Sequence, residues 1–149
     1  MGPVDLADLA AERLALYVYP RAGRLGVRSP PGWDEIPGAR GCTPQSCAFR
    51  DHEAELRELG ARVAGLSAQP LDDQVEFAER NRITYPVIAD PDRLLALALS
   101  LPTFEVAGDT LYKRLALVAE RGEIVKAFYP VFPPDRNAAD VVAWLRDRA

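Results

Sequence analysis

Two cysteines, Cys42 and Cys47, are the only thiols in a chain of 149 residues, and they lie five positions apart. They sit in the run Gly41-Cys42-Thr43-Pro44-Gln45-Ser46-Cys47-Ala48-Phe49-Arg50-Asp51. Thr43 suits an N-cap and Pro44 the first helical position, where a missing N–H costs nothing. A helix is therefore expected from here, with Phe49, Leu56 and Leu59 on one face and Gly60 as its stop. Cys42 then lies at the mouth of that helix, where unpaired backbone N–H groups and the positive dipole end favour an anion. A thiol of ordinary pKa, about 8.5, is only ~3% thiolate at pH 7, and the thiolate is the nucleophile. Helix position and a nearby arginine are the means by which such a site becomes reactive.

The spacing adds a constraint. Residues five apart on one intact helix differ by roughly 7.5 Å in height and about 140° in direction. Their Cα atoms are then ~8.7 Å apart, beyond the roughly 7 Å a disulfide spans without backbone movement. The pair can bridge only if the first turns unwind. This suggests a two-step cycle, in which peroxide oxidises Cys42 to a sulfenic acid and local unwinding lets Cys47 condense with it. Spacing alone leaves equally open that both are inert buried thiols. With two cysteines and one histidine, a zinc site lacks soft ligands, so no metal is expected.

The elements that must hold this pair are legible in outline. The length fits a single domain over 1–149, and 48% hydrophobic with 27% charged residues is ordinary for a globular protein. A net charge of −4 and scattered arginines argue against nucleic acid or an anionic membrane as partner. No stretch approaches the ~18 apolar residues of a spanning helix, and the N-terminus lacks a signal-peptide pattern, so the expected compartment is the cytoplasm. Leu6 to Glu12 reads as a helical turn and Leu14 to Tyr19 as a buried strand. Arg21 to Gly41, rich in Gly and Pro, reads as a long loop of the kind that carries function. After the cysteine helix come a strand at Arg62–Ser67, a helix at Asp72–Arg82 with Val75 and Phe77 inward, and a strand at Tyr85–Ala89. A helix from Pro91 to Leu99, a loop over Pro102–Thr110, and strands at Arg114–Ala119 and Ile124–Tyr129 follow. Glu120-Arg121-Gly122-Glu123 suits the turn between those strands, and Ala138–Arg148 closes as a helix with Val141, Val142 and Leu145 inward. The pattern is that of an α/β thioredoxin-like fold, a mixed central sheet flanked by helices.

Tyr19-Pro20 after an apolar strand, followed by the cysteine run, closely resembles peroxiredoxins of the bacterioferritin-comigratory (Q-type) subfamily. Gly65-Leu66-Ser67, Phe77-Ala78-Glu79, Tyr85-Pro86-Val87-Ile88-Ala89-Asp90 and the strand led by Arg114 match in order and approximate spacing. The resemblance spans about residues 6 to 148. It implies peroxidatic Cys42, resolving Cys47 and an intramolecular disulfide recycled by thioredoxin or a similar dithiol protein. It also implies a hydroperoxide substrate and no metal or organic cofactor; monomer and homodimer are both left open. Arg114 matches the arginine that stabilises thiolate and peroxide, and Thr43 the Cys-Thr step. Tyr19 and Pro20 match the strand-end wall of the pocket. For Gln45 and Arg50 a solvated helix face is at least as good a reading, and for His52 a half-exposed structural role is preferred.

Two departures stand out. Where the family has Pro and Thr or Ser, seven and three residues before the peroxidatic cysteine, this chain has Glu35 and Ala39. Pro37, Gly38 and Arg40 are candidates to rebuild the pocket, and Trp33 to anchor the inserted loop. The chain also starts almost directly at the first core strand, lacking the family's usual N-terminal β-hairpin. Two readings compete with the peroxidase: a non-catalytic redox sensor or interaction module, and a thioredoxin-type disulfide exchange protein. The latter normally uses Cys-x-x-Cys, which stays bridged without unwinding a helix.

Overall fold

The computed structural model describes residues 6–21, 33 and 41–148. In chain order these form α1 (Leu6–Leu9), β1 (Arg13–Val18), α2 (Cys42–Asp51), α3 (Glu53–Glu58), β2 (Arg62–Ser67), α4 (Leu71–Arg80) and β3 (Val87–Ala89). They continue with α5 (Leu94–Leu99), β4 (Thr103–Val106), β5 (Asp109–Tyr112), β6 (Leu115–Glu120), β7 (Glu123–Phe128), a 3-10 turn at Pro134–Arg136, and α6 (Asn137–Arg148). The main sheet runs β3-β2-β1-β6-β7. β1 pairs parallel with β2 and antiparallel with β6, β2 pairs parallel with β3, and β6 pairs antiparallel with β7. This is the expected mixed sheet. Among the described residues β1 is the first strand, with only α1 before it.

β1 lies at the centre and is apolar on both faces because both are covered. Ala15, Tyr17 and Tyr19 point into a core shared with Phe49 of α2, Phe77 of α4, and Ala138, Val141, Val142 and Leu145 of α6. Leu14, Leu16 and Val18 point the other way, into a second core that α1 and α5 partly cover. The two-residue period of the strand thus sorts one sequence run into two cores. Arg121-Gly122 makes the β6–β7 turn where the sequence suggested one, with positive φ at both residues.

Three expectations need correction. The segment Pro102–Thr110 is largely a β-hairpin, β4–β5, turning at Ala107-Gly108. Its strands are only four residues long and carry Glu105 and Asp109, too short for alternation to stand out. Trp33 is buried against this hairpin through Phe104, Val106 and Leu111, a loop-anchoring position. Val75 is 40% exposed, and Gln74 instead turns inward with Phe77. An amide can occupy that place because its Nε2 donates to Ser67 Oγ and to Ile88 O, and its Oε1 accepts from the Tyr19 hydroxyl. The cysteine helix, expected as one piece to Gly60, is broken at His52 into α2 and α3; no periodicity in the sequence marks the break.

One close approach decides how the sheet meets the helices. Tyr17 lies beside Gly65 in the β1–β2 register, and a Cβ built on Gly65 would fall 2.5 Å from Tyr17 Cζ and 2.6 Å from its hydroxyl oxygen. The ring also stacks on Phe49 at 4.7 Å and cannot easily retreat. Gly65→Ala is therefore expected to destabilise the fold by about 1–3 kcal/mol through overpacking, read as a lower urea midpoint. An unchanged midpoint would show that the ring has room to move.

Candidate active site

α2 begins two residues earlier than its sequence suggests. Gly41 is the N-cap, with φ 105°, and Cys42 is the first helical residue. Only glycine suits that entry: the conformation is left-handed, and a Cβ there would lie 2.4 Å from Pro134 Cγ. Thr43 is consequently not the cap; it is exposed within the first turn. Pro44 is still tolerated, since the first intrahelical bond runs from Gln45 N–H to Gly41 O and Pro44 falls before it.

Cys42 is 5% exposed, and Cys47 is part-buried; no disulfide joins them. Arg114, immediately before β6, is 3% exposed and directs Nη2 at Cys42 Sγ, 3.2 Å away. Its Nη1 donates to Gln45 Oε1 at 2.7 Å. Gln45 in turn donates Nε2–H to Asn137 Oδ1 at 3.0 Å. Guanidinium, amide and amide thus form one buried chain from the sheet through α2 to the start of α6. A planar guanidinium with two donors on one side holds sulfur and Gln45 together, which fixes its own angle toward Cys42.

The solvated-face reading of Gln45 is overturned, since the residue is fully buried. A signal was present: position i+3 from Cys42 lies on nearly the same helix face. Asn137 was missed, because an Asn that opens a helix reads as an ordinary cap. Arg50 straps the far end of α2, donating Nη1–H to Asn81 O at 2.7 Å, and the Cys47 thiol faces Asn81 Oδ1 at 3.8 Å. The two sulfurs are thus engaged with different elements, Cys42 with Arg114 and Cys47 with the end of α4. Tyr19 and Pro20 are buried at the end of β1, Tyr19 in the same core as Cys42. His52 is half-exposed and pairs with Glu55 Oε1 at 2.8 Å, the structural role expected.

A second polar chain lies beneath α2. Tyr17 and Tyr85 share a hydrogen bond between hydroxyls at 2.8 Å, and Tyr85 donates to the Ser46 carbonyl at 2.8 Å. Burial pushes both phenols well above their ordinary pKa, so both stay protonated. Glu35, Pro37, Gly38, Ala39 and Arg40 lie outside the described residues. Among the described residues, no group of three or more His, Cys, Asp or Glu could hold a metal ion, and no helix is long and apolar enough to cross a membrane.

Comparison with known proteins is consistent with this arrangement. Residues 2–143 match the Redoxin family. A Mycobacterium tuberculosis protein bearing the peroxiredoxin name is 31% identical over 132 residues, covering 86% of this chain and 74% of its own. Chloroplastic peroxiredoxin Q of Sedum lineare is 26% identical over 145 residues, covering 97% and 69%. The crystal structure of peroxidoxin BcpB from Mycobacterium tuberculosis superposes with a TM-score of 0.76 at 26% identity, over 97% of this chain and 85% of that one. The chain belongs to the Redoxin family, among its peroxiredoxins.

Proposed function

We propose that this peroxiredoxin reduces hydroperoxides through Cys42 as nucleophile, Cys47 as resolving thiol and Arg114 as the cation that organises the first step. The observation that carries the assignment is the 3.2 Å contact from Arg114 Nη2 to Cys42 Sγ, buried at the first residue of a helix. A cation and the first-turn N–H groups favour negative charge on that sulfur. Thiolate sulfur attacks the distal oxygen of the hydroperoxide; the O–O bond breaks, Cys42 becomes a sulfenic acid, and the departing alkoxide or hydroxide takes up a proton. Charge moves from sulfur to the leaving oxygen in this step. A guanidinium already fixed by Gln45 serves both ends without reorganising. Thr43, next to Cys42 in the first turn of α2, is proposed to line the same site.

The Cys47 thiol then attacks the sulfenic sulfur. An S–S bond forms, the S–O bond breaks, and water leaves with the thiol proton. A dithiol protein, thioredoxin or one of its kind, returns two electrons by thiol–disulfide exchange. No metal or organic cofactor enters any step. A reducing cytoplasm would keep both cysteines as thiols between turnovers.

Cys42→Ser is expected to abolish peroxide consumption with thioredoxin and its reductase; persistent turnover would refute the assignment. Cys47→Ser is expected to keep the rapid first oxidation, stop at the sulfenic acid, and lose thioredoxin-supported turnover. A first-step rate in the wild type no faster than free cysteine would favour a redox sensor instead. Arg114→Met is expected to slow that first oxidation by about 10²-fold, the scale of removing one preorganised donor. Gln45→Met keeps the volume but orphans Asn137 and loosens Arg114. It is expected to lower stability by about 1–3 kcal/mol and to slow the same step, in a urea melt and stopped-flow traces respectively.

A further inference from the structure

The proposed cysteine cycle requires α2 to unwind, and a residue between the two cysteines is held from below. Ser46 stands immediately before Cys47, is fully buried, and its carbonyl accepts from the Tyr85 hydroxyl. A carbonyl can only accept, so the single Tyr85 proton points at Ser46, and the Tyr17 hydroxyl must donate to the Tyr85 oxygen. Tyr17 is anchored in β1, with its ring end in the space left by Gly65 and its face stacked on Phe49 of α2. Tyr85 is 3% exposed and leads into β3. Two phenols therefore run from the sheet to the stretch of helix that lies between the sulfurs.

We propose that Tyr85 is a positioning residue for disulfide formation: its bond to the Ser46 carbonyl holds α2 folded and so sets how long the Cys42 sulfenic acid waits for Cys47. The inference rests on the peroxidase reading above. Bringing the two Cα atoms from ~8.7 Å to within roughly 7 Å must displace the intervening backbone, Ser46 included. Tyr85 belongs to a segment fixed by sheet pairing, where Gly65 N–H bonds Pro86 O and β2 pairs with β3. The hydrogen bond exists in the folded helix and is lost in the unwound one, and only such differential contacts shift a two-state balance. Arg114 and Gln45 also hold α2, but they act on the first step. The Tyr85 hydroxyl bonds Ser46 and Tyr17 rather than the sulfur, so it separates the second step from the first.

The waiting time has a chemical consequence. A sulfenic acid that meets a second hydroperoxide before Cys47 arrives takes its distal oxygen, becoming a sulfinic acid while the peroxide leaves as alcohol or water. Tyr85→Phe removes one oxygen and leaves the ring. The double variant Tyr17→Phe with Tyr85→Phe also removes the hydroxyl that the single change would leave without an acceptor. Rapid-quench intact-mass measurement resolves both steps, as gain of one oxygen and then loss of two hydrogens relative to the starting thiols. Both variants are expected to form the disulfide about fivefold faster than wild type, the effect of one buried hydrogen bond. They should tolerate correspondingly more peroxide before sulfinic acid accumulates, with the first oxidation unchanged. A merely loosened fold would slow the first oxidation too, and that outcome overturns the proposal. So does a folded double variant whose disulfide step is no faster than wild type while its oxidation is intact. If the wild type gains oxygen but never forms the Cys42–Cys47 disulfide, the resolving role of Cys47 falls together with this proposal.

Discussion

Everything in this molecule turns on the distance that an α-helix imposes between its first and sixth residues. Cys42 and Cys47 occupy those places in α2. Helical rise and twist hold their Cα atoms ~8.7 Å apart, too far for a disulfide. In the proposed cycle the folded helix is the form that reacts with the oxidant, because it places Cys42 in its first turn against Arg114. It is also the form that cannot complete the cycle. A rigid α2 would strand the oxidised sulfur, and a loose one would dissolve the site that oxidises it. The energetic demand is therefore for a helix that is stable by a small margin and tunable at named contacts.

The structure distributes that margin among several buried polar links. Arg114, Gln45 and Asn137 hold the N-terminal turn from the side of β6 and α6. Tyr17 and Tyr85 hold the middle from beneath, and Arg50 with Asn81 holds the end near Cys47. Each is a modest contribution by itself, and each ties α2 to another part of the fold: Arg114 before β6, Asn137 in α6, Tyr85 before β3 and Asn81 at the end of α4. Local unfolding confined to one helix is reasonable where the central strands β2, β1 and β6 are each paired on both sides. β1 is such an anchor: five of its six residues are buried, between β2 and β6.

The parts of this account that depend on neighbours along the chain were legible in the sequence. The continuous apolar run Leu14–Tyr19, the helix-compatible run after Gly41, and Val141, Val142 and Leu145 on the closing helix follow from local sequence pattern. The proposal of Cys42 as the reactive cysteine came from its place at a helix mouth and from family resemblance. Arg114 rested on resemblance alone; the structure puts it 72 positions from Cys42 in sequence and in contact in space. Gln45 to Asn137 and Tyr17 to Tyr85 are likewise partners 92 and 68 positions apart. Such pairings are set by sheet register and helix docking, which no window of sequence contains. The N-cap was misplaced because Thr43 and Pro44 form a strong local signal, while the close approach of Pro134 that requires Gly41 is a tertiary fact.

The central claim is that the disulfide state and the folded α2 exclude each other, and hydrogen exchange tests it most directly. Amide protection would be compared between the reduced protein and the protein oxidised by one equivalent of peroxide to the Cys42–Cys47 disulfide. Protection is predicted to fall sharply over the amides of Gln45 to Asp51 on oxidation, while β1, β2 and β6 keep theirs. An intramolecular disulfide formed with the α2 amides as protected as before would contradict the account.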